Sequence, residues 1–171
     1  QLHACGLFWD GEPSYQSRRR EHYQRAFQHL NQLSVVYACT CSRQTIANAL
    51  ATAGIHTLRN QEMVYPGTCR PSKITPYSDE LLAEIKKAWR IALPKNCKIQ
   101  YEDLSLGMQN QDLNQDVGDF VLRRNDGLFT YQLAVVVDDA EQGITHIVRG
   151  QDLLNNTARQ IFLQHQLGYP T

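Results

Sequence analysis

An α/β fold is the class this sequence predicts, and three observations predict it. Apolar side chains at helical spacing alternate along the chain with short β-branched runs. The C-terminal part reads as half of a βα unit, a strand over Ile144 to Val148 leading to a helix over Thr157 to Leu167. The composition, 42% hydrophobic and 20% charged, is that of a globular chain rather than a disordered one. At 171 residues the chain fits one ordinary domain with a sizeable core.

Residues 1 to 16 read as irregular, with turn chemistry at Asp10-Gly11 and Pro13. Ser17 is placed to cap a helix running to about Leu33, with Tyr23, Phe27 and Leu30 on one face. Val35 to Ala38 is a short strand. Ser42 caps a second helix ending near Gly54. Residues 55 to 77 form a long loop punctuated by Pro66, Gly67, Pro71 and Pro76, and loops of that length often carry function. Ser78 opens a short helix. Ala88 to Leu93, Lys98 to Leu106 and Asp119 to Arg124 read as strands, the last closed by a turn at Asn125-Asp126-Gly127. Leu133 to Val137 is ambiguous, its run of Leu, Ala and three Val arguing for a buried strand by propensity. Asn156 caps the final helix, which turns Ala158, Ile161 and Phe162 inward and stops at Gly168 and Pro170. Ligands of βα units gather at the carboxyl ends of strands, which points to Arg149 and Gly150.

The formal net charge is zero, so a nucleic-acid partner would have to be met by a local basic patch. No apolar run approaches the ~20 residues of a membrane span, and Gln1-Leu2-His3-Ala4 does not begin a signal peptide. The expected location is the cytoplasm and the expected state a monomer. The absence of an initiator Met suggests a start that is missing or processed.

Five cysteines, an odd number, argue for reduced thiols or a metal site over a disulfide framework. Cys39-Thr40-Cys41 places two thiols on one side of an extended chain, and Cys69 returns across the loop. Structural zinc takes four ligands, and three cysteines are local, so Tyr65, His56 or Cys97 is left as the fourth. Buried free cysteines are the alternative. Cys5 and Cys97 read as ordinary buried residues. Phosphate-binding Gly-rich loops, H-E-x-x-H and G-x-S-x-G do not occur. Asp138 and Asp139 are adjacent and suit solvated or capping roles better than a catalytic pair. Arg149 at a strand end could clamp a carboxylate through both guanidinium nitrogens. Tyr131 could be a ligand contact or a packed ring. Arg18, Arg19 and Arg20 read as a solvated face at the positive end of their own helix, a conflict that a docked phosphate would relieve.

The order CGLFWDGEPSYQS, Cys-x-Cys, Tyr-Pro-Gly-Thr-Cys, GDFVLRRNDGLFTYQLAVVVDD, GITHIVRGQDLLNNTARQ and LGYP resembles the glutamyl-Q tRNA(Asp) synthetases, shortened relatives of glutamyl-tRNA synthetase. The resemblance covers almost the whole chain and is strongest from Gly118 to Gln160. It implies a Rossmann-type class I aminoacyl-tRNA synthetase catalytic domain, in part, with an inserted zinc-bearing α+β subdomain. Residues 1–36 and 126–171 would be catalytic and residues 37–125 the insertion. It implies a helix over Tyr131 to Asp139, against the propensity. It implies glutamate binding by Tyr131 and Arg149, a structural zinc on Cys39, Cys41, Tyr65 and Cys69, ATP as co-substrate, and transfer of glutamate to the queuosine base of tRNA(Asp). Cys69-Arg70-Pro71 in place of Cys-x-His, and Gly150-Gln151-Asp152-Leu153 in place of G-E-D-H, favour this branch over ordinary glutamyl-tRNA synthetases. The HIGH-like and KMSKS-like motifs of the family are expected to lie before residue 1 and after residue 171. The 171 residues alone are then expected to lack glutamate-dependent ATP–pyrophosphate exchange. Two other readings are a piece of an ordinary glutamyl-tRNA synthetase and a non-enzymatic zinc-stabilised module that binds RNA or protein.

Overall fold

Alternation along two short strands separates the molecule into two cores. In β1 (Val36–Cys39) and β2 (Ala88–Ile91) successive side chains point to opposite faces. Val36, Ala38, Trp89 and Ile91 enter the larger core, and Tyr37 and Cys39 the smaller. The computed structural model describes residues 1–55 and 63–171. β2 is the central strand of a three-stranded antiparallel sheet, with β1 on one side and β5 (Val121–Arg123) on the other.

On the larger-core face lie α1 (Arg20–Gln32), α5 (Tyr131–Glu141) and α6 (Thr157–Leu167). Phe27 and Leu30 of α1, Leu133 and Val137 of α5, and Leu163 of α6 are fully buried there around Trp89. The helix α2 (Arg43–Thr52) supplies Ile46 and Leu50 to the smaller core. Ser42 caps α2 through the Thr45 N–H at 3.1 Å. Ser78 likewise opens α3 (Asp79–Glu84), accepting from the Leu81 N–H.

Residues 131–141 are helical although Val135, Val136 and Val137 favour strand. Leu133, Ala134, Val136 and Val137 are buried together, which is the 3.6-residue pattern. Burying such a side chain is worth roughly 1.5–3 kcal/mol, whereas the helix penalty of a β-branched residue is below about 0.7 kcal/mol. Packing therefore decides the conformation.

Several expectations are corrected. Residues 144–150 form no strand, and Val148 is 98% exposed. A β-branched run becomes a strand only where a neighbour completes its ladder, and among the described residues none runs beside it. The described sheets are antiparallel, so the expected βα unit keeps its helix without its strand. The strand expected over Lys98 to Leu106 is instead a hairpin, β3 (Lys98–Asp103) and β4 (Gly107–Asp112). Asp103 closes its turn by accepting from the Ser105 and Leu106 N–H groups. A short α4 (Leu113–Asp116), capped by Asp112, follows. Ser17 does not cap α1; it lies in a 3-10 turn, Gln16–Arg18, that precedes it. Asn156 makes no capping bond to α6 and accepts from Gln132 instead. Gly168 ends α6 in the left-handed region, as expected. Cys5 is exposed, not buried.

Asp138 is also unlike its expectation. It is 6% exposed and accepts from Arg19 Nε at 2.6 Å, Gln16 Nε2 at 2.9 Å and the Tyr23 hydroxyl at 2.9 Å. Burial together with this carboxylate pushes the Tyr23 phenol up to about 12. Arg19 also reaches Glu141. The middle of the Arg18–Arg20 run thus ties α1 to α5. Among the described residues no helix is long and apolar enough to cross a membrane.

Candidate functional site

The smaller core ends in a group of donor atoms. Cys39 closes β1, Cys41 follows two residues on, and the 63–69 segment brings Tyr65 and Cys69 against them. The Cys41 and Cys69 sulfurs are 3.4 Å apart, far beyond the ~2.05 Å of a disulfide. The Tyr65 hydroxyl lies 3.4 Å from the Cys39 sulfur and 3.7 Å from that of Cys41. The three sulfurs are mutually within 4.8 Å. A zinc–sulfur bond of ~2.3 Å implies a tetrahedral edge of ~3.8 Å, so the three sulfurs are close enough to hold one ion, with the Tyr65 hydroxyl beside two of them. His56 lies outside the described residues. Cys97 belongs to the larger core.

The protonation chemistry suits a cation. Burial, reinforced by a hydrogen bond with Cys69, pushes the Cys41 thiol up to about 11. Burial raises Tyr65 strongly as well, and its bond with Cys39 adds to this. Burial also acts to raise Cys69, but hydrogen bonds from the Thr40 backbone and side chain, Cys41 and Tyr65 outweigh it and bring this thiol down to about 6. One thiolate is thus ready at neutral pH, and a dication would draw the protons from the other cysteines.

Tyr65 is held from every side. Its hydroxyl oxygen accepts the Cys69 N–H at 2.7 Å. Its backbone N–H donates to the Val117 carbonyl, and it forms a bridge with Gly118. Arg90, 8% exposed, lies over the ring at 3.8 Å from its centroid. The same guanidinium donates to the Cys39 sulfur at 3.3 Å and the Asp119 carbonyl at 2.7 Å. Asp119 is clasped by Arg70, the Leu93 N–H and the Tyr37 hydroxyl. Arg70, next to Cys69, is therefore a strut between loop and sheet. Sequence reasoning does not single out Arg90 or Gly118. A lone arginine inside the apolar strand Ala-Trp-Arg-Ile is the available signal for the first.

Gly118 stands at φ +70°, and a Cβ there would meet the Tyr65 carbonyl oxygen at 2.5 Å and its nitrogen at 2.8 Å. Gly118→Ala is expected to cost about 2–4 kcal/mol, from left-handed strain and overpacking together. Urea unfolding checks this, and a loss below about 0.5 kcal/mol would show that the Tyr65–Gly118 approach does not constrain the fold.

The second group lies on α5, α6 and the segment before α6. Tyr131 opens α5 and is 47% exposed. Arg149 donates to the Gln160 amide oxygen at 2.7 Å and to the Thr157 hydroxyl at 2.5 Å. Gln160 donates to Gln132, and Gln132 to Asn156. This chain of hydrogen bonds joins Arg149 to Gln132, the neighbour of Tyr131 on α5; Tyr131 itself is not part of it. Arg149 lines a cleft of about 550 Å³ between the β3–β4 hairpin and residues 145–151. On its other side is Asp139, whose carboxyl burial pushes up, with Asp138 adding and Arg149 opposing. A guanidinium fixed by two neutral acceptors keeps its charge for an anion.

Over residues 1–171 the chain matches the family model described as tRNA synthetases class I (E and Q), catalytic domain. It is 46% identical, over its whole length, to a glutamyl-Q tRNA(Asp) synthetase of Albidiferax ferrireducens, of which the match covers 60%. It is 49% identical over 99% of its length to one of Verminephrobacter eiseniae, covering 55% of that protein. The chain spans roughly half to three-fifths of the length of the curated relatives it matches. Among solved structures it is similar to a glutamate tRNA ligase of Elizabethkingia meningosepticum in complex with its amino acid. There the TM-score is 0.75 and the identity 26%, over 99% of this chain and 36% of the other. The glutamate-tRNA synthetase of Elizabethkingia anophelis is equally similar.

Proposed function

Because the chain belongs to the class I tRNA synthetases for glutamate and glutamine, as their catalytic domain, we propose that it forms the glutamate-binding side of a glutamyl-Q tRNA(Asp) synthetase. The observation that carries the substrate is Arg149, oriented by Thr157 and Gln160 and lining a cleft. Adenylation consumes the α-carboxylate of glutamate, so the carboxylate that Arg149 clamps is the side-chain one. Tyr131, on the first turn of α5, contacts the same amino acid. ATP is the co-substrate, and the activated glutamate passes to the queuosine base of tRNA(Asp). Support for queuosine over the acceptor end of tRNA(Glu) comes from the names of the relatives at 46–49% identity. Pro71, standing where a Cys-x-His site would place its histidine, also supports it.

On this reading residues 37–125 are an inserted zinc-bearing subdomain between catalytic segments 1–36 and 126–171. Cys39, Cys41, Tyr65 and Cys69 fit a closed four-ligand structural site. Zinc there would supply cross-linking of the 63–69 segment to β1 and no open position for chemistry.

Transfer of labelled glutamate separates the alternatives. The whole protein, of which this chain would form the glutamate-binding side, is expected to label queuosine-containing tRNA(Asp) and to leave tRNA(Glu) and guanosine-containing tRNA(Asp) unlabelled. Labelling of tRNA(Glu) in preference would assign it to the ordinary glutamyl-tRNA synthetases.

A further inference from the structure

We propose that the cleft between α1, α3 and the 124–127 turn is a phosphate subsite that receives a backbone phosphodiester of the RNA substrate, an inference resting on the synthetase reading above. The cleft, about 570 Å³, is lined by Arg20, Lys86, Arg123 and Arg124, with Asp79 and Asp126 as its carboxylates. Both carboxylates are engaged. Asp126 pairs with Arg124 at 2.6 Å, and Asp79 accepts from Gln28 at 2.9 Å. Among the described residues, no carboxylate lies within ion-pairing distance of Arg20, Lys86 or Arg123.

Arg123 is the unusual member. It is 8% exposed, yet its partners are the Leu82 carbonyl at 2.5 Å and the faces of Phe27 and Trp89. A buried cation is ordinarily matched by an anion. Burial, and then the charge of Arg20, work against its charged state. Arg20 meanwhile stands on the first turn of α1, where the helix end is itself positive. The cleft is therefore an anion site by electrostatics, and its size admits a phosphate with its sugar. With zero formal net charge, a polyanion must be met by a local concentration of cations. Three of them converge here, outside the glutamate cleft.

The test is RNA binding by the protein carrying Arg20→Gln and Lys86→Gln. Both residues are exposed, and Arg123 is left in place to hold α3. Affinity for tRNA(Asp) is expected to fall about tenfold near 50 mM salt. The slope of log K against log salt should shrink by about 0.7–0.9 for each phosphate that is no longer neutralised. Glutamate binding should be unchanged. Unchanged RNA affinity and slope would overturn the proposal. So would a variant that loses only stabilisation by inorganic phosphate at matched ionic strength, which would mark a small-anion site. RNA affinity is read without glutamate or ATP, so a failed queuosine transfer leaves this test intact.

Discussion

Stripping the metal from the Cys39, Cys41, Tyr65 and Cys69 site with a chelator is expected to lower the thermal midpoint by roughly 6–12 °C. The underlying loss is about 3 kcal/mol, at ~2–4 °C per kcal/mol for a chain of this length. It is smaller than the ~10–16 kcal/mol apparent for isolated zinc-finger peptides, because Tyr37, Ile46, Leu50 and Ala92 still pack the smaller core. The larger core, centred on Trp89 and Leu133, should retain its fold, and near-ultraviolet circular dichroism would report both. Protein purified without chelator should carry about one equivalent of zinc. Less than half an equivalent, or no response to chelation, would remove the metal from the description. The pH dependence has a definite sign. Zinc must displace the proton of Cys41, whose thiol lies near 11, so affinity rises with pH through the neutral range. Below about 6, Cys69 also takes up a proton and affinity falls more steeply.

Arg149→Ala is expected to weaken glutamate binding about 100-fold, measured calorimetrically. Charge-assisted hydrogen bonds are worth ~1.5–3 kcal/mol, and about 2.7 kcal/mol corresponds to that factor. Arg149→Lys should recover little, since an ammonium cannot hold Thr157 and Gln160 while presenting a planar fork to a carboxylate. Thr157→Val keeps the charge but frees the guanidinium, and a loss of about fivefold is expected. Binding within twofold of the parent for Arg149→Ala would assign the carboxylate to another residue.

The parts of this molecule legible in its sequence are those where local chemistry and packing agree. Tyr23, Phe27 and Leu30 announce α1, Ser42 announces α2, and Cys-x-Cys followed by Cys69 announces the donor cluster. Where a partner distant in sequence decides, propensity alone misleads, and at Tyr131 to Asp139 the family resemblance, not the local residues, carries the helix. Val135 to Val137 are helical because Trp89 and Leu163 offer a face to pack on. Ile144 to Val148, equally β-branched, forms no strand because nothing completes its ladder. β4 escapes sequence reasoning because Gln109, Asn110 and Gln111 carry little strand propensity and pair only through the register set by the hairpin. Asp138 reads as solvated until Gln16, Arg19 and Tyr23 of the α1 region are brought to it.

The guanidinium of Arg90 bears on the electroneutrality of the smaller core. On the proposed zinc reading, three thiolates and a phenol that keeps its proton about a dication would leave one negative charge in a partly buried region. Arg90, against both Cys39 and the Tyr65 ring, cancels it from within the fold. The proposed metal site would thus carry its own counter-ion. A neutral tyrosine, which adds no further charge, completes the balance where a fourth thiolate would have left the cluster anionic.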